Sequence, residues 1–240
     1  MSLRDSAIQA PFLVTLGLGF LLGLRHALDA DHLVAVSTIV GRHKSLWRSS
    51  VIGAYWGLGH TVSLLLASVV VIGLRRTIPQ RAAQGLEVLA GLMLVVLGLD
   101  LLRRAAKGEL SVHTHEHDGH VHLHAHTGRV PEKAHHHIGK RPFIVGMVHG
   151  LAGSAALTIV VLSTIQSPWA GLFYVLVFGL GTIVGMLVMS AAVGLPFALA
   201  ARKASRLAGR VQVLAALSSI GFGLWYAYRI LFVEGLLKTL

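Results

Sequence analysis

Residues 11–40 read PFLVTLGLGFLLGLRHALDADHLVAVSTIV, an apolar run interrupted by Arg25, His26, Asp29, Asp31 and His32. A membrane-crossing helix needs roughly 20 apolar residues, so this run is long enough to cross a bilayer with its polar cluster inside. Placing Arg or Asp at mid-membrane costs about 2.5–3.5 kcal/mol per residue on insertion scales, and such residues face a cavity or one another. The stretch therefore predicts a membrane helix that carries chemistry. A secretory signal peptide would need a small-residue cleavage pattern, and none sits where one is required, so the segment is expected to be retained.

The rest of the chain agrees in class. It has 240 residues, 54% hydrophobic and 13% charged, with mean hydropathy +0.70, too apolar for an ordinary soluble domain. Five further apolar stretches follow at about 50–74, 83–102, 142–166, 169–200 and 211–233. The expected fold is all-α: a polytopic membrane protein with six transmembrane helices. Cysteine is absent, which excludes disulfides, thiolate metal sites and cysteine nucleophiles.

The formal charge of +11 would suggest nucleic acid in a soluble protein, but in a membrane protein it reports topology. Arg42, Lys44 and Arg48 follow the first stretch, seven Lys and Arg between Arg103 and Arg141 follow the third, and Arg202, Lys203, Arg206 and Arg210 follow the fifth. With six spans these all lie on one side. The positive-inside bias then places both termini outside, the 106–140 loop in the cytoplasm, and the protein in the cell membrane as a multi-pass chain. The lipid bilayer is the expected partner and nucleic acid is not.

The two halves of the chain echo each other. Gly23-Leu24-Arg25-His26 aligns with Gly146-Met147-Val148-His149, Gly57-Leu58-Gly59 with Gly179-Leu180-Gly181, and Val88-Leu89-Ala90 with Val213-Leu214-Ala215. The three offsets are nearly constant. A duplicated unit with an odd number of spans must insert its second copy from the opposite face, which predicts two inverted three-helix repeats with a site between them. The expected units are 1–105, a His-rich loop at 106–140, and 141–240. The copies differ in chemistry: His26 has its counterpart in His149, but Asp29, Asp31 and His32 face Ala152, Ser154 and Ala155, and His60 faces Thr182.

On an unbroken helix at 100° per residue, His26, Asp29 and His32 share an arc of about 120°, while Asp31 points away. Either Asp31 supports or pairs with the others, or the helix is interrupted here. An internal Arg25–Asp29 ion pair at i, i+4 is the bland reading. His60 and His149 each lie mid-span among small residues that let helices approach closely. Imidazoles and carboxylates without thiolates favour nickel, cobalt or zinc over copper(I), magnesium or calcium.

Arg25-His26-Ala27-Leu28-Asp29-Ala30-Asp31-His32 closely resembles the signature of the nickel/cobalt transporter (NiCoT) superfamily, R-H-A-x-D-A-D-H on a transmembrane helix. Leu58-Gly59-His60-Thr61-Val62 is similar to its second motif, L-G-H-S-x-V-V. His149-Gly150-Leu151-Ala152-Gly153-Ser154 looks like the six-span branch associated with urease accessory membrane proteins. The resemblance implies transport of Ni²⁺ or Co²⁺ as substrate, with no prosthetic group, and nickel-enzyme maturation proteins as partners. It implies metal recognition by His26, Asp29, Asp31, His32 and His60; His149 joins them through the repeat and its own chemistry.

The loop after the third stretch holds His113, His115, His117, His120, His122, His124, His126, His135, His136 and His137. Without an apolar face it is expected to be disordered, serving either as an auxiliary metal buffer or as a dispensable linker. Efflux and a non-transporting accessory role in nickel-enzyme maturation are alternatives to uptake. An intramembrane hydrolase lacks H-E-x-x-H or an acid/base helper, so no enzyme activity is expected.

Overall fold

The structure is a computed structural model that describes residues 3–41, 43, 45–74, 78–106, 113–117, 120–124, 139–164, 167–203, 205–234 and 236. Side chains at 3–12, 113–124, 154–166 and 202–206 lie outside that description. The apolar stretches become helices α1 (Leu3–His26), α2 (Ala30–Val40), α3 (Leu46–Leu74), α4 (Gln80–Ala106), α5 (Lys140–Thr164), α6 (Pro168–Lys203) and α7 (Ser205–Tyr228). A π-helical turn at Arg229–Val233 prolongs α7.

Among the described residues, four helices are long and apolar enough to cross a membrane, and five candidates result when the bent pair α1–α2 counts as one span. Large apolar side chains such as Leu18, Leu66, Val70, Val96, Val188 and Leu214 are exposed on the outside of the bundle. Hydrocarbon would cover such a surface, and helices satisfy their own backbone groups within it. The chain is a multi-pass membrane protein.

The first stretch is two helices, not one. Leu28 and Asp29 donate their backbone N–H groups to Arg25 and His26 carbonyls three residues back, which tightens and ends α1. Asp29 then takes an extended conformation (φ −61°, ψ 146°) at the start of α2, and the two axes meet at a bend of 55°. Ala27, Val36, Ile52, Trp56, Leu94, Val145 and Met186 belong to one buried cluster, which draws residues from the bend and from α2, α3, α4, α5 and α6.

Close glycine contacts bind the helices, and they recur in exchanged form. A Cβ at Gly23 would strike the Phe178 carbonyl, and one at Gly146 would strike the Trp56 carbonyl. Gly59 lies on Phe143 and Met147, and Gly181 on Phe20 and Leu24. Gly57 meets Ile183, while Gly179 meets Thr61. Each second contact is the first with its partners shifted by 122 or 123 residues and exchanged. Helix pairings obey the same exchange: α3 with α5 mirrors α6 with α1, and α4 with α5 mirrors α7 with α2.

Two segments of the His-rich loop, expected to be disordered, are described, and both are strands. His113–His117 and His120–His124 pair as an antiparallel hairpin, β1 and β2, in which His113 is opposite His124, His115 opposite His122, and His117 opposite His120. Histidine at every second position gives both segments a strand period; residues 118 and 119 lie outside the described residues. His126, His135, His136 and His137 lie outside the described residues.

Candidate metal centre

The break after His26 turns a geometric conflict into a cluster. His26 ends α1, Asp31 and His32 begin α2, His60 comes from the middle of α3, and His149 from α5. His32 and His60 are fully buried and His149 nearly so. The bend brings Asp31, which an unbroken helix would have turned away, to face α5.

Two ligand groups share His32. His26, His32 and His60 form one, and Asp31, His32 and His149 the other; in each, one candidate ligand atom per residue lies within 4.8 Å of the others. His32 and His149 ring centroids are 4.4 Å apart, and those of His26 and His32 4.8 Å. Gly150 makes this proximity possible, because a Cβ there would overlap Ser63 and the His60 carbonyl.

Hydrogen bonding fixes which nitrogens are available. His26 Nδ1 lies 2.8 Å from Asp29 Oδ2, so Nδ1–H donates to the carboxylate and the neutral ring carries its lone pair on Nε2. That Nε2 is 3.2 Å from His60 Nε2. His149 Nε2 lies 2.8 Å from Asp31 Oδ2, which leaves the lone pair on Nδ1. Carboxylate support of this kind orients an imidazole and raises its basicity as a metal ligand.

The remaining nitrogens have no hydrogen-bond partner. Both His32 ring nitrogens, His60 Nδ1 and His149 Nδ1 are buried and unsatisfied. His32 Nδ1 lies 3.4 Å from Asp31 Oδ1, but without hydrogen-bond geometry. A buried polar atom left unmatched costs about 1–3 kcal/mol, so a concentration of them at one point marks a place where something else binds.

Beside the cluster is a cavity of about 80 Å³ lined by His26, Asp31, His32, His149, Glu87 and Tyr226, with Ala90, Ala152 and Gly153 completing its wall. It has room for a cation with a small number of waters. All six residues picked out in the membrane spans by sequence thus come together. Asp29 meets the cluster through His26 and remains half-exposed. The expected alternative of an Arg25–Asp29 ion pair does not occur among the described residues.

The urease accessory protein UreH of Bacillus sp. (strain TB-90) is 41% identical over 234 residues, which cover 96% of this chain and 97% of that protein. Residues 46–225 match the family model described as the cytochrome C biogenesis protein transmembrane region. The chain belongs to both of these families. A UreH-type chain also has distant relatives: the chloroplast protein FOR GROWTH AND FERTILITY 1 of Arabidopsis thaliana is 27% identical over 92% of this chain and 60% of its own length. The high-affinity nickel transport protein of Cupriavidus necator is 37% identical over 65 residues, 27% of this chain and 18% of that protein. No solved structure matches.

In this UreH-type chain the sequence reading missed Glu87 and Tyr226. Glu87 is one of two acids, with Asp100, in the 83–102 apolar stretch, which was the available signal, but its place on the cavity depends on the packing of α4 against α7.

Proposed function

We propose that this protein moves a divalent transition-metal ion, Ni²⁺ or Co²⁺, across the membrane through the His26–Asp31–His32–His60–His149 cluster. The observation that carries the reading is the group of buried, unpartnered imidazole nitrogens on His32, His60 and His149, with a cavity against His32 and His149. Borderline cations prefer such nitrogens, and one relative is a urease accessory protein and another a high-affinity nickel transport protein. The ion exchanges water for imidazole and carboxylate, which lowers the cost of leaving solvent. His32 belongs to both ligand groups, so an ion can pass from the Asp31–His149 side to the His26–His60 side without losing all its protein ligands at once. Asp29 acts on the ion by holding the His26 ring.

The exchanged glycine contacts support six spans arranged as two inverted repeats, 1–105 and 141–240, that rock about this site. In this arrangement both termini are outside and the 106–140 loop is cytoplasmic, where its histidines collect metal beside the pathway. A negative interior contributes about 4.6 kcal/mol per divalent ion at 100 mV, enough to drive uptake. The test is Ni²⁺ flux into liposomes containing the purified chain alone. Indicator response above that of protein-free vesicles supports transport.

A second reading, a non-transporting accessory protein that passes nickel to a maturation partner, is favoured by the name of the 41% identical relative. It expects tight Ni²⁺ binding with no flux in the same vesicles. Metal content of cells producing the protein decides direction: a rise supports uptake, and a fall supports efflux.

A further inference from the structure

Glu87 on α4 lines the same cavity as Asp31, His32 and His149, together with Tyr226 of α7. Glu87, Tyr226 and Asp31 thus share one cavity wall although they come from three different helices. Arg229, the nearby cation, is engaged with Glu234 at 3.0 Å. None of the motif resemblances covers Glu87.

The charge balance of the cluster calls for such a group. A divalent ion held by neutral imidazoles and Asp31 retains one uncompensated positive charge, and in a poorly solvated interior that charge is costly. Asp29 is turned to His26 and half-exposed. Glu87 is the other acid on the cavity wall, which it shares with His32, whose two ring nitrogens are unpartnered.

We infer that Glu87 is a cation-binding residue of this cavity, supplying the second negative charge for the divalent ion, with Tyr226 positioning its carboxylate. The inference rests on the metal-transport reading. It explains discrimination by charge: a doubly negative cavity holds a divalent ion better than a monovalent one. The offset of 125 residues that relates Val88-Leu89-Ala90 to Val213-Leu214-Ala215 pairs Glu87 with Gln212, which is buried in the second half. Gln212 donates from Nε2 to the Gly41 carbonyl at 2.8 Å, so the second half uses this position for helix packing; Glu87→Gln keeps the size of the side chain and removes its charge.

The experiment measures Ni²⁺ binding by titration calorimetry on the full-length, detergent-solubilised protein, for wild type, Glu87→Gln, Glu87→Asp and Tyr226→Phe, with thermal unfolding of each. The expected result is binding weakened about 10–100-fold in Glu87→Gln, as for removal of a supporting metal-site group, with an unchanged unfolding midpoint. Glu87→Asp should recover part of the loss, and Tyr226→Phe should show a smaller one. Wild-type affinity in Glu87→Gln overturns the role of Glu87 while leaving the His/Asp site standing. Absence of Ni²⁺ binding by wild-type protein overturns the transport reading itself.

Discussion

Asp31 Oδ2 and His149 Nε2 are 2.8 Å apart, joining the start of α2 to the middle of α5. This link connects the two halves of the chain at the cluster, and it exists because the first span breaks between His26 and Ala30. Asp31→Asn removes the charge while keeping the shape. Ni²⁺ affinity should fall at least about tenfold, measured by calorimetry, and the loss should exceed that of Asp29→Asn, whose residue touches only the His26 ring.

His26 presents its Nε2 to the cluster because Asp29 holds Nδ1. His26→Ala should reduce Ni²⁺ flux in liposomes more than about tenfold, with normal membrane insertion and elution on size exclusion. Flux close to wild type would remove His26 from the pathway.

The sequence revealed the apolar stretches and the polar residues within them because both depart sharply from their surroundings. It could not reveal how Asp31 would be used. Helical periodicity sets Asp31 apart from His26 and His32, and only the three-residue hydrogen bonds at Leu28 and Asp29 reverse that. The strand pair at His113–His117 and His120–His124 was hidden for another reason: strand alternation is usually sought in apolar residues, and here histidine carries it. Glu87 and Tyr226 lie far apart in sequence, and only the packing of α4 on α7 brings them to one cavity.

Glycines at the helix contacts should be intolerant of side chains. At Gly150 even a Cβ would overlap Ser63 and press on the His60 carbonyl. Gly150→Val should cost about 1–3 kcal/mol or more through overpacking, lowering the thermal unfolding midpoint and displacing His149. Gly209 has open space around it, so Gly209→Ala should leave the midpoint nearly unchanged.

Deleting residues 113–137 tests the auxiliary role of the histidine loop. Apparent affinity for Ni²⁺ in flux assays should weaken several-fold, with the preference between nickel and zinc unchanged. Free imidazole protonates below about pH 6.5, and protonation competes with the metal. The loop's contribution should therefore be present above that pH and vanish as pH falls through it, so that deletion and full-length protein converge near pH 5. A changed ion preference would contradict a buffer.

The central claim is that a divalent ion binds where α1 breaks from α2, against α3 and α5. Anomalous X-ray scattering at the nickel edge from crystals of the Ni²⁺-loaded protein tests it most directly. The expected result is a peak within coordination distance of His32 and at least two of His26, Asp31, His60 and His149. A nickel peak confined to the 113–137 loop, with none at His32, would contradict it.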